Sequence, residues 1–114
     1  MNSKHSRERV LVELDLLAQP SLQLKYETTL QGRAGHAPSE LIERFCSDIF
    51  APKSQEFLSE FSDSELKSLC HLYGLMIEAS STKYPAVDAM LKDPAWRKVV
   101  TLAKELYVQL SRGA

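Results

Sequence analysis

Long apolar runs are missing from this chain. No stretch approaches the roughly 20 apolar residues that span a bilayer, so a membrane-spanning helix is not expected. The opening, Met1 to Arg9, is polar and basic, and the next apolar stretch, 10–18, is broken by Glu13 and Asp15. That is not the core of a signal peptide, and the expectation is a cytoplasmic protein. A basic excess is missing as well: 14 Lys and Arg stand against 15 Asp and Glu, a formal net charge of −1. Nucleic-acid binders usually carry surplus positive charge to neutralise phosphates, which disfavours DNA or RNA as the main partner. Cysteine is scarce. Cys46 and Cys70 are too few for a stapled secreted fold, and each lies inside an apolar helical pattern, so both are expected as buried thiols.

Catalytic and metal-binding signatures are also lacking. There is no P-loop, no G-x-G-x-x-G and no G-x-S-x-G. His5, His36, His71 and the two cysteines show no C-x-x-C, H-x-x-x-H or E-x-x-H spacing, so neither a metal nor a cofactor is expected. Cys70 and His71 are neighbours, and on a helix they diverge by about 100°. Thiols on core faces make poor nucleophiles. No residue stands out as catalytic, and the reading leans away from an enzyme. Strand signals are nearly absent too. Leu22, Leu24, Tyr26, Thr28 and Leu30 alternate, but no second strand-like run exists to satisfy a strand's backbone. The segment 21–30 is therefore read as helix, with an edge strand pairing in a dimer as the alternative.

What is present is helical periodicity. The 114 residues, 44% hydrophobic and 25% charged, suffice for one domain with its own core. The expected fold is all-α: a compact single-domain bundle of about five to six helices. Residues 1–5 should fray, and the loop 31–37, with Gly32 and Gly35, should be flexible. A first helix over 6–18 carries the stripe Val10, Leu14, Leu17 and Ala18, widened by Leu11, Val12 and Leu16. Arg9 and Glu13 have the spacing to pair on its outer side. Pro20 interrupts it. A third helix, 38–50, turns Leu41, Ile42, Phe45, Cys46 and Ile49 inward, and a short one follows over 52–60 with Phe57 and Leu58.

The sharpest local signal is Ser62-Asp63-Ser64-Glu65, a capping box with Phe61 and Leu66 in the staple positions. It starts a helix to about Ser80 that is apolar nearly all round, from Leu66 to Ala79, and is read as the central helix of the bundle. A short helix over 84–92 follows. Asp93-Pro94 then opens the last helix as N-cap and N1, with the stripe Trp96, Val99, Val100, Ala103, Leu106, Tyr107 and Leu110. Phe-Ser-Asp-Ser-Glu-Leu at 61–66 and Lys-Asp-Pro-Ala-Trp at 92–96 are general helix-start devices and mark no particular family.

Charge is segregated. From Glu40 to Glu65 seven acids stand against two bases, a net of −5, while 83–112 carries six bases and three acids, a net of +3. Either surface can steer a partner of opposite sign. The expected function is a non-enzymatic protein-interaction module: an inhibitor, immunity-type antitoxin, adaptor or regulatory subunit. Its partner-binding candidates are Glu40, Glu43, Asp48, Glu56 and Glu60 on the acidic side and Arg97, Lys98 and Lys104 on the basic side. The alternative is a small-ligand-binding bundle or minor enzyme with a crevice beside His71, Gly74, Glu78 and Lys67, which share one face of the 63–80 helix. A second alternative is weak nucleic-acid binding through the basic last helix, although no aromatics interleave there for base stacking. The surplus apolar residues of the first helix allow self-association as a C2 dimer.

Overall fold

Burial follows the apolar stripes of three long helices. The computed structural model describes residues 5–30 and 36–112, with seven α-helices and no strand among them. Helix α1 spans His5–Ala18, α2 Pro20–Thr28, α3 Ala37–Glu43, α4 Gln55–Ser59, α5 Asp63–Ala79, α6 Val87–Lys92 and α7 Pro94–Arg112. The expected all-α single domain is what is seen. The short helices make the count seven. Of the residues expected to fray, 1–5, and of the loop expected to be flexible, 31–37, residues 1–4 and 31–35 lie outside the described residues; His5 instead opens α1 and Ala37 opens α3.

Helix α7 packs along both α1 and α5, with α6 against it as well. Its stripe of Trp96, Val99, Val100, Ala103, Leu106 and Leu110 is buried, while Tyr107, expected within it, lies at the edge of the stripe and is exposed. Val10, Leu14, Leu17 and Ala18 of α1 meet it from one side, and Leu69, Leu72, Met76 and Ala79 of α5 from the other. The expected surplus on α1 is largely covered: Leu11 and Leu16 pack against the core, and Val12 stays exposed. Helix α5 buries one stripe and leaves its other face to solvent.

The joints are local chemistry. Gln19 is extended, with φ −119° and ψ 103°, because Pro20 disfavours the helical conformation in the residue before it. Pro20 then starts α2. Segment 21–30 is helical through Thr28, and the residue it buries completely is polar: Gln23, at 0% exposure. Its Nε2 donates to Leu17 O at 2.9 Å, and its Oε1 accepts from Trp96 Nε1 at 2.9 Å. One amide thus satisfies a carbonyl at the end of α1 and ties α2 to the largest side chain of α7.

Helix α3 continues into a π-helical turn over Arg44–Ile49, closed by Phe50 N donating to Phe45 O at 2.8 Å. This wider turn brings Phe45 and Phe50 into a stack with centroids 5.5 Å apart. Phe57 and Tyr73 meet the Phe50 ring at 5.7 and 5.3 Å. The capping box at α5 is formed as expected, Ser62 Oγ accepting from Glu65 N and Glu65 Oε1 accepting from Ser62 N. Asp93 caps α7: Oδ1 accepts from Ala95 N at 3.0 Å and Oδ2 from the Tyr84 hydroxyl at 2.7 Å. The Tyr84 bond is the main reason the Asp93 carboxyl sits below its usual range, while burial pushes the Tyr84 phenol up to about 12. Glu27 of α2 accepts from Val87 N at 2.9 Å and so caps α6.

Two expectations need correction. Glu13 does not pair outside with Arg9. It is 1% exposed and accepts from Arg44 Nε and Nη2 at 2.7 and 2.9 Å. Those bonds hold the guanidinium above its ordinary value. Position 13 faces the π-helical turn, and Arg9 reaches Asp48 O instead, at 3.3 Å. Cys70 is not buried but exposed, because it lies on the solvent side of α5. Cys46 is half-buried, and burial pushes its thiol up to about 11, which leaves it a poor nucleophile.

Candidate functional site

Helix α5 carries the first set of candidates on its outer ridge. Lys67, His71, Gly74 and Glu78 are all exposed. A Cβ built on Gly74 would meet nothing within 4 Å, so this glycine is not the site of a close helix crossing. Glycine inside a helix costs about 0.5–1 kcal/mol relative to alanine, and nothing here offsets it. Gly74→Ala is therefore expected to raise the unfolding free energy by about that amount and Tm by a few degrees. A thermal melt followed by circular dichroism checks this, and an unchanged or lower Tm would contradict the open environment.

Of the four ridge residues, His71 lines a concavity. An open groove of about 480 Å³ runs between α5 and α7, with His71 and Leu75 on one wall and Arg97, Lys98 and Thr101 on the other. Two candidate sets singled out separately in the sequence thus meet: the imidazole of α5 and the first two bases of α7. Lys104 is exposed on α7 but does not line the groove. Gly74, Glu78 and Lys67 lie outside it as well.

The acidic candidates divide. Glu43, Asp48 and Glu56 are exposed. Glu60 is engaged internally: its Oε1 accepts from Arg7 N at 2.9 Å and its carbonyl from Arg7 Nη1 at 2.8 Å. Glu40 is half-buried and accepts from the Tyr26 hydroxyl at 3.4 Å. Glu65 faces Arg7 in a buried two-point pair, both contacts at 2.9 Å. The −5 of segment 40–65 is thus partly compensated from α1, and Glu43, Asp48, Glu56 and Asp63 are its exposed acids, with Lys53 as the exposed base.

Sequence reasoning missed an apolar stripe on α5. Leu66, Cys70, Tyr73 and Ile77 follow the 4-3-4 spacing of a helix-packing seam. Leu66 is half-buried, while Cys70, Tyr73 (36%) and Ile77 (46%) stand exposed. The signal was present in the hydrophobicity of this helix beyond one stripe, but it was read as burial. Also missed was a cavity of about 580 Å³ between the start of α3 and the 80–84 segment, lined by His36, Glu43, Lys83 and Tyr84 among others. The Tyr84 hydroxyl there is already donated to Asp93. A third concavity, of about 540 Å³, lies between the start of α5 and the end of α7, beside Ser62, Ser64 and Arg112.

The chain matches no protein-family model, no curated protein and no solved structure.

Among the described residues, no three His, Cys, Asp or Glu side chains gather as a metal site would need, and no helix is long and apolar enough to cross a membrane. What the arrangement offers chemically is surface: an apolar stripe on one side of α5, and a cationic groove on the other.

Proposed function

We propose that this protein is a non-enzymatic interaction module of the inhibitor, antitoxin, adaptor or regulatory-subunit kind. It acts in the cytoplasm and seats an apolar helix face of a partner protein against α5. The observation that carries this reading is the exposed stripe Cys70, Tyr73 and Ile77 on a 17-residue helix whose adjoining face buries Leu69, Leu72, Met76 and Ala79 in the core. Large apolar side chains exposed in a row at helix-packing spacing mark binding surfaces more often than chance placement does. Tyrosine is among the residues that dominate binding energy at such surfaces.

The partner's chemistry follows from the rim. Tyr73 packs on Phe50, and Phe50 on Phe57. The segments bearing these rings carry the exposed acids Asp48 and Glu56, and Asp63 opens α5 itself. A helix with Lys or Arg flanking its apolar face suits that surround.

The test is affinity purification from the native host, comparing the wild-type chain with Tyr73→Lys/Ile77→Lys, bound species being read by mass spectrometry. A stoichiometric protein retained by the wild type should be lost from the variant, and that protein should contain a basic amphipathic helix. Ile77→Lys alone, at a half-open position, should change stability by no more than about 0.5 kcal/mol and still weaken retention. Equal retention by wild type and variants, or no protein retained at all, would overturn the reading.

A further inference from the structure

From the groove between α5 and α7 we infer a second binding site, for a short acidic peptide segment carrying one apolar side chain. The groove has fixed positive charge at one end. Arg97 and Lys98 stand there on the α7 wall, with Thr101 next along the helix and His71 on the α5 wall. Neither base is neutralised. Among the described residues, Lys98 makes no ion pair, and Arg97 makes one hydrogen bond, from Nε to the Leu91 carbonyl at 3.4 Å. Arg7, Arg44 and Lys92 are paired, with Glu65, Glu13 and Asp88. Exposed lysines such as Lys53, Lys67 and Lys104 are not paired among the described residues, and Arg97 and Lys98 differ from those in standing together on the wall of a groove. Two adjacent unpaired cations in a groove hold an open electrostatic demand for an anion.

The lining supplies the second requirement. Leu75 of α5 and Leu102 of α7, both half-buried, contribute apolar surface from the two walls, and an apolar side chain would cover them. The far end supplies polarity: Glu105 closes the groove there and repels a second acid. The ligand is therefore acidic at its Arg97 end, apolar in the middle and uncharged or basic at its Glu105 end. From Arg97 to Glu105 is eight residues of helix, about 12 Å, which matches three to four residues of extended chain.

Openness favours a peptide over a small molecule. Small-ligand sites bury most of the ligand's surface, whereas two parallel walls grip a strand of chain and leave its outer side wet. No Phe, Tyr or Trp lines the groove as a platform for base stacking, which argues against nucleic acid. The site faces away from the Cys70–Tyr73–Ile77 stripe, so the inference stands apart from the proposed docking on that stripe.

The test titrates the full chain with an acetylated, amidated peptide Asp-Asp-Leu-Ser, followed by two-dimensional nitrogen–proton NMR. Saturable shifts confined to the backbone around positions 71, 75 and 97–102 are expected. Binding should weaken about tenfold with the Asn-Asn-Leu-Ser peptide, and about tenfold with Arg97→Ala/Lys98→Ala. It should fall with added salt and persist in Tyr73→Lys/Ile77→Lys, so that failure of one site is separable from failure of the other. The proposal is overturned if no saturation is reached by about 10 mM peptide, if the amide control binds equally well, or if inorganic phosphate or a single-stranded oligonucleotide saturates the groove while the peptide does not.

Discussion

Replacing Arg7 with methionine is expected to lower the unfolding free energy by about 3–5 kcal/mol, the cost of leaving one member of a buried ion pair alone. Arg7 is 8% exposed and Glu65 6%. The guanidinium joins four elements. Nη1 donates to Glu65 Oε1 and to Glu60 O, and Nη2 donates to Glu65 Oε2 and to Leu110 O, all at 2.8–2.9 Å. The cation also lies 5.6 Å from the centroid of the Phe61 ring. Start of α1, end of α4, start of α5 and end of α7 are thereby held by one side chain. Methionine fills the volume but strands a carboxylate and removes the donors from two carbonyls. Pairing the change with Glu65→Gln keeps an acceptor for Ser62 N and removes the stranded charge. The double variant is therefore expected to be more stable than Arg7→Met alone. Urea unfolding followed by circular dichroism decides it. A loss below about 1 kcal/mol for Arg7→Met would mean that the pair behaves as a surface contact.

The same pair sets part of the acid response. The hydrogen bonds from Arg7 are the main reason the Glu65 carboxyl sits below its ordinary value of 4.5, with the Ser62 backbone adding to them. A carboxyl depressed in the folded state takes up its proton more readily in the unfolded chain. Its stabilisation is complete above pH 4.5 and is lost as pH falls through the lower, folded value. Wild type should therefore lose more stability than Arg7→Met on acidification below pH 4.5, the two curves converging. Parallel curves would remove the pair from the acid response.

What was legible in the sequence was what acts within one or two turns. The stripes of α1 and α7 repeat every three to four residues and face the core as expected, apart from Val12 and Tyr107 at their edges, which stand exposed. The Ser62–Glu65 box and the Asp93-Pro94 restart are complete within four residues of chain, so no knowledge of the tertiary fold was needed to find them. The polar ties were not legible. Arg7 and Glu65 are 58 positions apart, Glu13 and Arg44 31, Gln23 and Trp96 73. A polar residue on a helix reads as surface until its distant partner is known, and this is why Glu13 was matched with Arg9. Helix α5 failed in the opposite sense. Apolar residues around a helix are compatible both with full burial and with one buried face plus an exposed seam, and periodicity does not separate the two. The groove was half legible: His71 and the pair Arg97–Lys98 were each singled out, but their meeting depends on how α5 and α7 are rotated against one another.

The tie between Gln23 and Trp96 should show the strongest non-additivity in the core. Gln23→Leu leaves the Trp96 indole N–H and the Leu17 carbonyl without partners in a dry interior. At about 1–3 kcal/mol for each unsatisfied group, a loss of about 2–4 kcal/mol is expected. Trp96→Phe strands the Gln23 oxygen and also leaves space, for a loss of similar size. With both replaced, no indole N–H remains and Gln23 Oε1 is gone, so the two losses should not add. A coupling of about 1–3 kcal/mol is expected from the double-mutant cycle. The chain has a single tryptophan, so its fluorescence reports this point alone. A red shift in Gln23→Leu without global unfolding would show water reaching the orphaned N–H. Additive losses, with unshifted fluorescence, would mean that α2 is held by packing and by the bond that its Glu27 accepts from Val87 N of α6, and that the buried amide is incidental to where α2 sits.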